Sequence, residues 1–232
     1  MDKIIFFLKK HYLAIILAVF VGLITVSPIF LARWSLGRDY QGVPFIFSAN
    51  EDVYLAKMQE VAEGHWFSNS AYFYEYKKTP AVVPFFGELI YSLPTIIFRI
   101  SVRATDILNK FLFPGILFFL VYWLILKLID SASQISSKMN AIAGALFVTL
   151  GYDLIDLKNA WLMFSGQDLS TKILLWARPV NPISGAVLMF LFFLLIWAII
   201  NNSKFYLSII AGTVLGLMFG YIFSWSLGLM LC

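Results

Sequence analysis

Two stretches of this chain, residues 179–203 and 205–232, contain no Asp, Glu, Lys or Arg, and only Lys204 separates them. Hydrocarbon offers the backbone no hydrogen-bond partners, so a long charge-free apolar stretch suits a membrane-crossing helix and little else. The remaining charges are segregated to match. Only 13% of the 232 residues are charged, against about a quarter in a soluble domain that must cover its surface. Of the thirty charged residues, sixteen lie within 33–110. This pattern excludes a soluble globular enzyme, a disordered chain and a coiled coil, and predicts an all-α, polytopic membrane protein with one polar segment. A single cysteine, Cys232, excludes a disulfide framework and a Cys-based zinc or iron–sulfur site within this sequence. The net charge of +4 is dispersed, which argues for no nucleic-acid partner and makes a lipid phosphate the more natural anion.

About 20 mainly apolar residues are needed to cross a bilayer, and about five segments of a single membrane domain are read as transmembrane helices: 12–32, 107–129, 139–157, 183–200 and 205–225. The first follows Lys3, Lys9 and Lys10. It is too long for a signal-peptide core of roughly 7 to 15 residues, so it reads as an uncleaved anchor. With its lysines inside by the positive-inside rule, the N-terminus is cytoplasmic, and so are the lysine-bearing turns at 130–138 and 201–204. Residues 33–106 then form a long helical first extracytoplasmic loop, and 156–182 a second.

Within the first loop, Ser48 and Glu51 are spaced as a capping box, and Gly64 is placed to stop a helix. Tyr54, Leu55, Met58, Val61 and Ala62 recur at helical spacing opposite Lys57, Gln59, Glu60 and Glu63, which predicts an amphipathic helix. A second apolar piece at 82–100 is interrupted by Pro94 and is too short to span; it reads as a helix lying on the outer leaflet.

The candidate chemistry falls in these outer segments. Glu51 and Asp52 form an acidic pair that could coordinate a divalent cation or take a proton from an attacking hydroxyl; acids in a first helical turn also stabilise the helix dipole with no further role. His65 and Glu75 sit among Trp66, Phe67, Tyr72, Phe73, Tyr74 and Tyr76, a composition that fits a sugar site or a membrane interface. Arg178, in the run Arg178, Pro179, Val180, Asn181, Pro182, could hold a phosphate bidentately or anchor to head groups. Asp153, with Asp156, lies at the outer mouth of the third span, where an acid is a functional suspect, and Lys158 is its alternative partner. Gly212, Gly216 and Gly220 recur every fourth residue and predict close helix packing. No phosphate-cradling glycine loop, His-Glu-x-x-His or nucleophile elbow occurs.

The stretch Glu51, Asp52, Val53, Tyr54, Leu55, Ala56, followed by Glu60, Val61, Ala62, Glu63, Gly64, His65, resembles the first-loop signature of the membrane-embedded GT-C superfamily of glycosyltransferases, in particular its mannosyltransferase and lipid A aminoarabinose transferase-like groups. The segment 178–182 before a span is similar to bacterial members. The resemblance implies transfer of a sugar from a polyprenyl-phosphate donor to an acceptor on the outer face of a prokaryotic plasma membrane. Asp52 would be general base or metal ligand with Glu51 beside it, and a Mg or Mn ion would be the cofactor. Arg178, His65, Glu75 and Asp153 would bind substrate, and the partners would be the lipid-linked sugar donor and membrane lipids. Members of that superfamily have eight or more spans, so the sequence is expected to be an N-terminal portion or a truncated copy. The alternative is a non-catalytic protein that binds, flips or helps assemble a lipid-linked sugar.

Overall fold

The computed structural model describes residues 2–42, 46, 50–66, 85–129, 134–154, 175–202 and 204–230. All regular structure among them is helical: α1 (Asp2–Leu36), α2 (Glu51–Ala62), α3 (Phe86–Phe98), α4 (Val102–Leu128), α5 (Gln134–Leu154), α6 (Ile183–Asn202), α7 (Phe205–Met218) and α8 (Ile222–Met230), with short 3₁₀ turns at Gly37–Asp39 and Leu175–Ala177. The protein is an all-α membrane protein. Three segments are long and apolar enough to cross a bilayer, Ile5–Asp39, Val102–Leu128 and Ile183–Asn202, while α5 and α7 occupy the third and fifth expected spans as shorter apolar helices.

Helix α4 is the centre of the bundle. Its Leu117, Phe118, Val121 and Tyr122 are almost wholly buried and join Ala141, Ile142 and Ala145 of α5, Ala14 and Val21 of α1, and Ile183 and Ala186 of α6 in one core. Small residues set the closest crossing. A Cβ on Gly22 of α1 would collide with the Phe111 carbonyl oxygen of α4, and one on Gly115 of α4 would lie 2.9 Å from the Ala18 carbonyl oxygen of α1. Without a hydrophobic force between helices in lipid, such close approach supplies much of their association.

Contacts at the helix ends fix the directions. Near the start of α1, His11 Nδ1 is 2.8 Å from the Tyr122 hydroxyl, and the Phe7 ring meets Phe119 edge-on and Trp123 at a tilt; Lys138 at the start of α5 donates to the Lys10 carbonyl at 3.1 Å. Lys127 at the end of α4 sits over the rings of Trp123 and of Trp197 on α6, 5.4 and 5.0 Å from their centroids. The opposite end gathers α2, α3, the start of α4 and the turn before α6. Thus α1, α5 and α7 run one way and α4 and α6 the other, with Lys10, Lys127 and Lys138 at a common end, as the lysine-bearing turns predict.

Three expectations are revised. Helix α4 starts five residues before the expected 107, at Val102, where the Ser101 side chain accepts from the Ala104 amide at 3.2 Å; its charged first turns are covered by α2 and α3 instead of lying in a loop. The segment expected at 205–225 is divided at Gly220, which packs onto Phe86 and Gly87 of α3 so closely that a Cβ would lie 2.9 Å from the Gly87 nitrogen. A Cβ added at Gly212 or Gly216 would meet nothing within 4 Å, so among the described residues Gly220 is the member of that series that packs closely on another helix. The expected leaflet helix is α3, with Pro94 inside it and Leu93, Ile96, Ile97 and Phe98 exposed. At 13 residues it spans only about 20 Å, too little for the hydrocarbon layer, and its exposed apolar face is of the kind that meets lipid or a partner.

Replacing Gly22 with Val should force α1 away from α4 and destabilise the protein by about 1–3 kcal/mol. A thermal melt in detergent followed by tryptophan fluorescence should show a clear drop, and an unchanged melt would mean that this crossing is not a tight contact.

Candidate functional site

The site is organised by α2. Its apolar stripe behaves as the spacing predicts, with Met58 and Val61 buried and Tyr54 and Leu55 packed on the core, whereas of the expected polar face Gln59 and Glu63 are exposed and Lys57 and Glu60 half-buried; Asp52 is exposed. Gly64, with φ +90°, ends it; the Gly64 amide donates to the Val61 carbonyl and the His65 amide to the Glu60 carbonyl, at 3.1 and 2.8 Å, which is a Schellman closure. The start differs from the expected capping box. The helix begins at Glu51 itself, after Asn50 in the left-handed region and without a side-chain cap, and Ser48 lies outside the described residues.

Glu51 is released from any capping role because it has a stronger partner. It is 1% exposed and its Oε1 accepts a short hydrogen bond from Lys110 Nζ of α4. The same ammonium lies 2.9 Å from Asp106 Oδ2, one turn earlier on α4. Around this triad, Asn109 Nδ2 donates to the Tyr91 carbonyl at 2.6 Å, the Ser92 hydroxyl to the Met58 carbonyl at 3.4 Å, and the Thr95 and Thr105 hydroxyls meet at 2.7 Å. Lys57 Nζ is 3.8 Å from Glu88 Oε1. Burial raises the Glu88 carboxyl above the usual carboxylate range, against the opposing pull of its own backbone and of Lys57. Burial first, then the charges of Asp106 and Glu51, push the Tyr91 hydroxyl far up, so it stays protonated.

The adjacent acids are therefore separated by the helix itself. Consecutive residues differ by about 100° around the axis, so with Glu51 turned into the core Asp52 faces outward. His65 is 53% exposed by side chain; its Nδ1 lies 3.1 Å from Glu60 Oε2 and 3.9 Å from Glu63 Oε2, and the three residues offer ligand atoms within 4.8 Å of one another. That group stands at the far end of α2 from Asp52, roughly 20 Å away by helical rise, so the structure does not bring Asp52 and His65 together. Among the described residues, Asp52 is the one acid of the pair that faces outward, since Glu51 is buried against Lys110.

Arg178 follows the 3₁₀ turn Leu175–Ala177, which is pinned by the Trp176 indole nitrogen donating to the Val148 carbonyl of α5 at 3.0 Å. Two residues on, Val180 is fully buried against Gly87 of α3. This places Arg178 at the same end of the bundle as Glu51 and Asp52. Its Nε is buried without a hydrogen-bond partner among the described residues, as is Asn181 Oδ1. Asp153 lies on α5, with its side chain outside the described set; Glu75, Asp156 and Lys158 also lie outside the described residues. Lys110, Asp106 and Glu88 were missed as site residues by the sequence reading. The available signal was Asp106, Asn109 and Lys110 at i, i+3 and i+4 within a segment otherwise fit to cross a membrane, where ionisable side chains face a partner.

No protein-family model, curated protein or solved structure matches this chain.

Removing Lys110 as Lys110→Met leaves two carboxylates buried without their cation and should lower stability by about 3–5 kcal/mol, read by chemical or thermal unfolding in detergent. A carboxyl whose folded pKa exceeds its unfolded value loses stability as pH rises through that interval. Glu88→Gln should therefore be stabilised relative to the unsubstituted protein above the ordinary glutamate value of 4.5, with the difference vanishing below it. Melts of both proteins over a pH series check this, and a gap that widens on acidification contradicts it.

Proposed function

We propose that the protein is a membrane glycosyltransferase of the GT-C type, moving a sugar from a polyprenyl-phosphate donor to a hydroxyl acceptor at the end of the bundle formed by α2, α3 and the turn before α6. The reading is supported by the division of the acid pair: Glu51 fixes the first turn of α2 on Lys110, which leaves Asp52 exposed at the end that also carries Arg178. In this scheme the Asp52 carboxylate takes the proton of the acceptor hydroxyl as that oxygen bonds to the anomeric carbon. The bond from that carbon to the phosphate oxygen breaks, and the departing polyprenyl phosphate is held by the Arg178 guanidinium, whose fork suits phosphate oxygens. The lipid tail remains in the bilayer throughout.

One observation favours a second reading. With Glu51 buried, a single carboxylate of the pair remains for chemistry, which suits a protein that binds, flips or presents a lipid-linked sugar without turning it over.

Asp52→Asn should reduce transfer from a labelled polyprenyl-phosphate sugar in membranes by about 10²–10⁴-fold, the usual contribution of a positioned base, while donor binding persists. Arg178→Gln should instead weaken donor binding and raise KM. Retained transfer in the Asn variant removes Asp52 from the mechanism; saturable donor binding by the unsubstituted protein with no transfer to any hydroxyl acceptor selects the second reading.

A further inference from the structure

The crossing of α1 and α4 leaves a groove on the outside of the bundle. Gly115 and Ala18 bring the two backbones together at its floor, and the longer side chains of Ile15, Val19, Phe111 and Phe119 stand as its walls. The space is about 330 Å³, a volume in the range of a small-molecule site, and every side chain lining it is apolar. Both helices are long and apolar enough to cross a bilayer, and Val19, Leu112 and Ile116 are exposed along the groove, so it opens toward hydrocarbon. Left unfilled it would forfeit dispersion contacts on both walls, and water finds no polar partners there.

One end of the groove leads to a charge. Phe119, Trp123 and Lys127 recur every fourth residue and share a face of α4. The Phe119 ring stacks on Trp123 with centroids 6.2 Å apart, and Lys127 Nζ lies over the rings of Trp123 and Trp197, so the face that lines the groove ends in an ammonium. No carboxylate among the described residues pairs with Lys127. The described acidic side chains stand at the opposite end of the bundle, in the turn after α1, in α2, in α3 and in the first turns of α4. Along α4 the rise from Lys127 is about 10 Å to Leu120 and about 24 Å to Phe111, within the roughly 30 Å depth of the hydrocarbon layer. A chain that enters past Trp123 from the leaflet at the lysine end therefore runs the length of the groove without leaving hydrocarbon.

We propose that the α1–α4 groove binds a chain of an anionic glycerophospholipid from the leaflet at the lysine end, with the lipid phosphate against Lys127. Charge complementarity selects this occupant. A neutral lipid leaves the ammonium unanswered, and a second copy of the protein, inserted in the same orientation, brings its own lysines to the same level. The site is independent of the sugar-transfer reading, since it opens at the other end of the bundle from Asp52 and Arg178.

The test uses the purified protein in detergent, titrated with phosphatidylglycerol and, separately, with phosphatidylcholine of the same chains. Its unfolding temperature is measured at each step, and the lipid it retains is counted by native mass spectrometry. Phosphatidylglycerol should give a saturable rise with a single lipid retained per protein, phosphatidylcholine a markedly smaller rise, and glycerol phosphate, a head group without chains, no rise. Lys127→Gln should increase the half-saturating amount of phosphatidylglycerol several-fold and leave the phosphatidylcholine response as it was. Ile116→Trp fills the groove from an exposed position and should remove the response to both lipids; Val19→Phe fills it from α1 and gives a second readout should Ile116→Trp fold poorly. Equal responses to the two lipids overturn the proposal, as does a phosphatidylglycerol response that is the same in the unsubstituted protein, Lys127→Gln and the groove-filling variants. A dimer of the unsubstituted protein that Ile116→Trp dissociates also overturns it, by showing a second copy in the groove.

Discussion

The ammonium of Lys110 is the constraint around which this end of the bundle is built. It sits 3% exposed on a helix otherwise fit to cross a membrane, where an unpaired charge is untenable. Its own helix supplies one carboxylate, Asp106, one turn away. The other, Glu51, comes from 59 residues earlier in the chain, and bringing it in docks α2 against α4. Once α2 is docked, the space between them is closed by α3, whose Tyr91 and Ser92 are buried and bonded to both neighbours. A buried ion pair of this kind adds little net stability compared with apolar packing. What it supplies is register, because α2 rotated by one residue would expose Glu51 and bury Asp52.

The rest of the molecule follows from its low charged fraction. With 13% of residues charged, every charge has either to reach an end of the bundle or to find a partner inside it. Lys127 takes the first course and rests between two tryptophan rings, an arrangement suited to the boundary between lipid and head groups. Lys110, Asp106 and Glu51 take the second. Between these ends the surface is apolar: Phe20, Phe147, Ile200 and Ile209 are all exposed, side chains that only a lipid environment makes tolerable as a continuous surface.

Much of this was legible in the sequence because periodicity and charge segregation are local signals. The α2 stripe, its glycine stop, the non-spanning α3 and the alternating run of apolar helices all depend on residues a few positions apart. The site was only half legible, for two physical reasons. Adjacent acids at Glu51 and Asp52 look equivalent in sequence, and the 100° between them that decides which one is buried is fixed by a lysine on another helix. The charged start of α4 reads in sequence as the end of a loop because its partners lie on other helices; the i, i+4 spacing of Asp106 and Lys110 is the local clue to their pairing. Gly220 illustrates the converse, since its position in a regular glycine series conceals that, among the described residues, it is the one of the three that packs closely on another helix.

The same geometry separates two groups of residues that the sequence places in one polar loop. Helix α2 holds Asp52 at one end and the His65, Glu60 and Glu63 group at the other, and its first turn is clamped by Glu51 while its last is closed by the Schellman turn. Twelve residues of helix anchored at both ends do not bend enough to bring those groups into contact. Among the described residues, the polar groups at the Asp52 end of the bundle therefore come from α3, from the start of α4 and from the turn before α6, and not from the histidine. Arg178 and Asn181 are among them. They approach through Val180 seated on Gly87, a contact that a side chain at position 87 would obstruct, so the small residue at the start of α3 is what lets the α6 turn close against the α2–α3–α4 junction.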